Sequence, residues 1–206
     1  MKLLSTLILK TSFLSLFSNH IPQKDDRCDR ERFIMQFIKP GDIGCEIGVD
    51  RGVFSYHVLM KAQPSKLFLI DPWIYGLQPG IENEFNSENI NAKNTDYENV
   101  SNAFAIYPNV EIIRMKSEDA VFMFPDNYFD YIYIDGEHSY AAVTRDLNNY
   151  FPKLKKGGYI IGDDYGWTGI PEAVKDFLRT HRRSAKFGPN PYEGQTGGQF
   201  LIKKIS

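Results

Sequence analysis

From about residue 43 onward, short apolar runs that read as strands alternate with stretches of helical spacing. This alternation restricts the fold more than any other feature. Strands are predicted at 43–49, 66–70, 110–115, 129–134 and 158–161, with 200–202 as part of a final strand after Gly197-Gly198. Helical spacing covers 53–61, 117–124, 139–151 and 169–180. Strand–helix alternation implies right-handed crossovers and a mostly parallel sheet covered on both faces. Such sheets bind ligands beyond the carboxyl ends of their strands, near a topological switch point. The unusual polar residues fall there. They are Gly48-Val49-Asp50-Arg51-Gly52 after the first strand, Asp71 after the second and Ser117-Glu118-Asp119 after the third. Asp135-Gly136-Glu137-His138 follows the fourth and Gly162-Asp163-Asp164-Tyr165 the fifth. Chance accounts for one or two such loops; five in register make a site.

The remaining composition is that of one ordinary domain of 206 residues. A net charge of -2 and the lack of a basic run give no electrostatic basis for nucleic-acid binding. The two cysteines, Cys28 and Cys45, read as reduced thiols of a cytoplasmic protein, since Cys45 lies in an apolar strand. Residues 1–17 are largely apolar but broken by Lys10, with no small-residue cleavage pattern after them. The run is too short and interrupted to span a bilayer. It reads as an amphipathic helix packing on the domain or on a second copy, within an N-terminal helical segment 1–40. Asp25-Asp26 cap a helix running to about Ile38, and Lys39-Pro40-Gly41 end it. The main domain is then 41–206, with the polar stretch 73–102 as a lid or acceptor-pocket insertion.

In the first loop the spacing is E-x-G-x-x-x-G rather than the dinucleotide pattern G-x-G-x-x-G. Its glycines let a ligand approach the backbone. For this loop alone, a bare strand-to-helix turn explains the pattern equally well. Asp71 closes the second strand roughly 20 residues further on, where an acidic residue accepts hydrogen bonds from ribose hydroxyls; alone, it is also a turn aspartate before Pro72. Together the two favour a nucleoside, and the carboxylate Glu46 argues against a pyrophosphate. That combination points to adenosylmethionine. Asp135, Asp163 and Asp164 would repel one another unless a cation or positive group lies between them. Such hard oxygen ligands suit magnesium, manganese or calcium. His138, beside them, is the proton-transfer candidate. His20, His57 and His181 take structural readings.

The chain resembles class I methyltransferases of the macrocin and novobiocin O-methyltransferase type, and more distantly catechol O-methyltransferase. The likeness rests on C-E-I-G-V-D-R-G-V-F-S, L-F-L-I-D-P-W, Y-I-Y-I-D-G-E-H-S-Y and L-K-K-G-G-Y-I-I-G-D-D-Y-G with G-I-P-E-A-V-K-D-F, across residues 41–204. It implies a Rossmann-like α/β fold, with a mostly parallel seven-stranded sheet, helices on both faces and an antiparallel last strand. S-adenosylmethionine would be held by Glu46, Gly48, Asp50, Gly52, Ser55, Asp71, Ser117, Glu118 and Asp135. Gly48 would lie under its methionine part, Ser55 would bind its carboxylate, Asp71 the ribose, and Ser117 and Glu118 the adenine. Asp135, Asp163 and Asp164 match the ligands of a divalent metal, magnesium foremost. Asp164 stands where the catechol enzymes often have asparagine. Asp135 and His138 are the catalytic pair, His138 where relatives place a lysine or histidine base.

The expected activity is metal-assisted O-methylation of a hydroxyl on a sugar, phenol or small metabolite, a sugar being favoured by the likeness. The expected partners are this acceptor and, through the apolar N-terminal helix, a second copy. The rivals are a metal-independent methyltransferase or hydroxylase-like enzyme of the same fold, and a non-catalytic adenosylmethionine-binding protein.

Overall fold

The computed structural model describes residues 26–74, 87–182, 185–187 and 198–206. The apolar segment at 1–17 lies outside them. The described chain runs α1 (Asp26–Ile34), β1 (Ile43–Ile47), α2 (Val53–Ala62), β2 (Lys66–Ile70), α3 (Ser87–Phe104), β3 (Val110–Ile113) and α4 (Ser117–Ala120). A 3-10 turn, Val121–Met123, follows. Then come β4 (Phe129–Ile134), α5 (Tyr140–Tyr150), β5 (Leu154–Gly162), α6 (Ile170–Thr180), β6 (Ala185–Phe187) and β7 (Phe200–Lys204).

The strands form one seven-stranded sheet in the order β3-β2-β1-β4-β5-β7-β6. β1 through β5 pair in parallel, and β7 is antiparallel to both β5 and β6. The expected Rossmann-like architecture with an antiparallel last strand is therefore present. The chain moves outward from β1 to β3 and then returns to place β4 on the other side of β1. This reversal opens the crevice between the carboxyl ends of β1 and β4.

Alternation along each strand splits the core in two. Phe68, Ile70, Ile132 and Ile134 face one layer with Val143 and Leu147 of α5 and Val174 and Phe177 of α6. Leu67, Leu69, Tyr131 and Tyr133 face the other, with Phe33 and Ile34 of α1, Val58 and Leu59 of α2, and Val100 and Phe104 of α3. Helices cover both faces, as expected for parallel strands.

Several boundaries depart from the expected ones; β1 and β3 each end two residues early, at Ile47 and Ile113. α1 stops at Ile34, short of Ile38, and continues as turns. The segment expected at 117–124 divides into one α turn and one 3-10 turn. β5 begins at Leu154 rather than 158, because its register with β4 shifts between Leu154 and Tyr159. Lys156 and Gly157 at this irregularity are exposed, which erases the apolar run a strand would show. Of the region expected as a lid or acceptor-pocket insertion, 73–102, residues 75–86 lie outside the described ones and the part from Ser87 lies in α3, an 18-residue helix.

Gly162, at the rim end of β5, packs under the Phe200 ring, where a Cβ would lie 2.1 Å from ring carbons. Gly162→Ala should destabilise the fold by about 1–3 kcal/mol through overpacking. A urea midpoint lowered with unchanged m would show this; an unchanged midpoint would mean that β7 shifts freely.

Candidate active site

The glycine loop is shaped by the strand next to it. Gly48 has φ 88°, and a Cβ on it would lie 2.1 Å from the Asp135 carbonyl oxygen. Only glycine permits this approach, and it joins the loop after β1 to the loop after β4 at backbone level. Asp135 N–H donates to the Ile47 carbonyl at 2.8 Å along the same seam. Gly52, also left-handed, opens α2 where a Cβ would press on Phe104 and Val100 of α3.

Asp71 braces this loop. Its carboxylate accepts from the backbone N–H groups of Val49 (2.8 Å), Asp50 (3.0 Å) and Trp73 (2.6 Å). Three donors leave capacity for about one more at a carboxylate. Asp50, expected at the cofactor, turns its side chain to Lys93 of α3 at 2.5 Å and to Arg51 at 3.3 Å. Burial raises the Asp50 pKa, but Lys93 and then Arg51 outweigh it and the net shift is downward. The Trp73 indole donates to the Asp50 carbonyl at 2.7 Å.

Beneath the loop, Glu46 is 3% exposed. Burial pushes its carboxyl up to about 8, with Asp135 and Asp71 adding to the rise. Ser55 beside it and Arg30 pull the other way without prevailing. Glu46 Oε2 and Ser55 Oγ are buried, yet neither completes a hydrogen bond of good geometry within the protein. Buried polar atoms seldom remain unpaired. These two leave an acceptor and a donor for a bound group, at the positions expected for the methionine end of the cofactor.

Ser117 and Glu118 both have partners within the protein. Ser117 Oγ donates to Asp146 Oδ1 at 2.6 Å, and its carbonyl accepts from the Tyr150 hydroxyl at 2.9 Å. Burial raises the Asp146 pKa to about 6. Glu118 is half-exposed and pairs with Arg145 at 2.9 Å. The pair thus fixes α4 against α5.

The acidic rim lies across the crevice. Asp135, His138 and Asp164 each offer one atom, and these atoms lie within 4.8 Å of one another. His138 Nε2 is 3.0 Å from Asp164 Oδ2 and 3.7 Å from Asp135 Oδ1. The nearby Asp135 carboxylate raises the His138 pKa, burial opposes it, and Asp164 adds to the rise. Asp163 is turned away from this trio, toward a residue that sequence reasoning missed. Arg30 of α1 bonds Asp163 Oδ2 and reaches Asp135 Oδ2 at 3.0 Å, with its guanidinium 4.5 Å from the Phe54 ring centroid. Burial lifts the Asp163 pKa to about 6, Asp135 adds to this and Arg30 opposes it. The structure therefore groups Asp135 and Asp164 with His138, and pairs Asp163 with an internal cation.

Trp167 was missed as well. It follows the two aspartates, donates its backbone N–H to the Asp164 carbonyl at 2.8 Å, and holds its ring 5.4 Å from that of His138. Its side chain is 51% exposed, an unusual state for so large an apolar ring at the edge of a crevice.

Glu46 gives a stability signature. With a folded pKa of about 8 above an unfolded value near 4.5, the folded state binds the extra proton between these values. Its contribution to stability therefore falls as pH rises through that window and levels off above about 8. Glu46→Gln should flatten this part of a plot of Tm against pH and stabilise the protein above pH 8. A parallel decline in both proteins would mean that Glu46 titrates normally.

A methyltransferase-domain family model matches residues 45–165, more than half of the chain. An uncharacterized protein of Acanthamoeba polyphaga mimivirus is 30% identical over 155 residues, covering 72% of this chain but only 64% of that relative's length. A SAM-dependent O-methyltransferase from Thermotoga maritima superposes with a TM-score of 0.60 at 13% identity, over 94% of this chain and 71% of that one. An rRNA methylase from Streptococcus thermophilus gives 0.57 at 9% identity, over 90% and 100%. A Streptococcus mutans protein solved in complex with SAH gives 0.57 at 12%, over 89% and 100%. At these identities the superpositions establish the fold, and the family match establishes the membership. The chain belongs to the methyltransferase-domain family and shares the Rossmann-like α/β fold of these structures.

Proposed function

We propose that this protein transfers a methyl group from S-adenosylmethionine to a hydroxyl oxygen, with a divalent ion at the acidic rim. The observation that carries the proposal is the Asp135–His138–Asp164 trio, within 4.8 Å in mutual reach beyond β4 and β5, together with Glu46 Oε2 and Ser55 Oγ, buried at β1 and α2 without a well-formed hydrogen bond. Glu46 would meet the ammonium of the cofactor's methionine and Ser55 its carboxylate. Gly48 would lie under the chain between them, and the remaining acceptor capacity of Asp71 would take a ribose hydroxyl.

The residues present fit a hard divalent ion: Asp135 and Asp164 offer it two carboxylates at a partly exposed rim, with His138 beside them as the base. What such an ion supplies when bound is a lowered pKa for the acceptor hydroxyl and a fixed orientation. His138 removes the hydroxyl proton as the oxygen attacks the sulfonium methyl carbon. The C–O bond forms, the C–S bond breaks, and S-adenosylhomocysteine leaves with the electron pair on sulfur. Alignment across the crevice contributes several kcal/mol, on the order of 7–11 at best. Trp167 offers the acceptor an apolar ring beside the base, consistent with the face of a sugar or phenol. The net charge of -2 weighs against an RNA acceptor. A metal-free variant of the same transfer is the second reading, favoured by Arg30 already placing a positive charge between Asp135 and Asp163.

Calorimetry of S-adenosylhomocysteine binding at pH 7, in buffers of different ionisation heat, tests the cofactor reading. Glu46 is mostly protonated there in the empty protein, so an arriving ammonium should expel close to one proton. Glu46→Gln should bind without proton release. Failure of the wild-type protein to bind would sink the methyltransferase reading.

For the metal reading, Asp164→Asn should remove magnesium-stimulated methyl transfer to hydroxyl acceptors while leaving S-adenosylhomocysteine affinity within a few-fold. Wild-type turnover undiminished by excess chelator would favour the metal-free reading instead.

A further inference from the structure

We infer that Arg30 is a built-in occupant of the cation position at this rim, so that docking of α1 and full coordination of a divalent ion by Asp135 and Asp163 exclude each other. The inference rests on the metal reading above and adds a control that lies outside the rim. Asp163 is 8% exposed and Asp135 about a fifth exposed, and both give an oxygen to the same guanidinium nitrogen, Nη1 of Arg30. Two carboxylates converging on one half-buried nitrogen is the arrangement a metal ion would otherwise satisfy. A guanidinium and a dication cannot share these oxygens without strong repulsion in a partly desolvated place.

Arg30 is held there by more than its charge. Its guanidinium lies over the Phe54 ring, a cation–π contact that strengthens when desolvated. The next residue, Glu31, is also buried and clamps α1 to α2, meeting His57 Nδ1 at 2.5 Å and bonding Lys61 Nζ. Phe33 and Ile34 complete the dock in the core. Arg30 Nε, in contrast, is buried without a hydrogen-bond partner. The guanidinium is therefore imperfectly satisfied where it lies, as expected of a group that can leave. With Arg30 in place, the carboxylates left for an ion are those of Asp135 and Asp164, beside His138. With Arg30 out, Asp163 joins them. Undocking α1 would thus convert a weak two-carboxylate site into a stronger three-carboxylate one.

The test is Mn2+ binding by electron paramagnetic resonance in the wild-type chain and in Arg30→Met, Arg30→Lys and Glu31→Gln. Arg30→Met should bind Mn2+ at least about five-fold more tightly, the lower end of usual coupling between linked sites. Glu31→Gln should shift affinity in the same direction without touching the rim, and Arg30→Lys should stay near wild type. Mn2+ should also accelerate amide exchange across α1 in the wild-type protein. A merely structural role for Arg30 would leave Mn2+ affinity equal or lower in Arg30→Met, and that result would overturn the inference while leaving the metal reading intact. Absence of Mn2+ binding in every protein would overturn both.

Discussion

The backbone contact between Gly48 and Asp135 is the constraint on which the rest of the site depends. Parallel pairing of β1 with β4 brings their carboxyl ends level. The loops beyond them must then diverge around a ligand or collapse onto each other. Gly48, lacking a Cβ, lets them touch at the base and splay above it. On one side stand Glu46, Ser55 and Asp71, which suit a nucleoside bearing an amino acid. On the other stand Asp135, His138, Asp163 and Asp164, which suit a cation and a proton acceptor. Loss of this contact would separate two half-sites that are individually intact.

Electrostatics explains why the two halves differ. Glu46 is buried where the pull of Arg30 does not offset desolvation, and its carboxyl is pushed up to about 8. The rim carries three aspartates but also Arg30 and a histidine of raised pKa. Much of its negative charge is therefore balanced from within the protein. The sheet supplies the carboxylates, whereas a helix preceding it supplies the balancing guanidinium.

Most of the sheet was legible because parallel strands buried on both faces read as continuous apolar runs, as in Leu67-Phe68-Leu69-Ile70. The site carboxylates were legible because each ends such a run. α3 was not: its core contacts come from a few residues such as Val100 and Phe104, scattered through an Asn- and Glu-rich stretch. β6 is three residues long, too short for any periodic signal. Three converging aspartates required a positive group, but nothing in D-R-C-D-R-E-R-F could show which arginine, if any, supplies it. The hydrogen bond from Ser117 to Asp146, 29 residues away, was equally hidden.

Asp71 leads to one more conclusion. Asp50 and Trp73 both have left-handed backbones, at φ 49° and 48°, and the Asp71 carboxylate fixes the amides of both. Ordering a residue's backbone costs about 1–2 kcal/mol, and here that cost falls on folding. The cradle is thereby preorganised, and a nucleoside entering it need not immobilise the loop. Cofactor affinity should thus depend on Asp71 even where the two never touch.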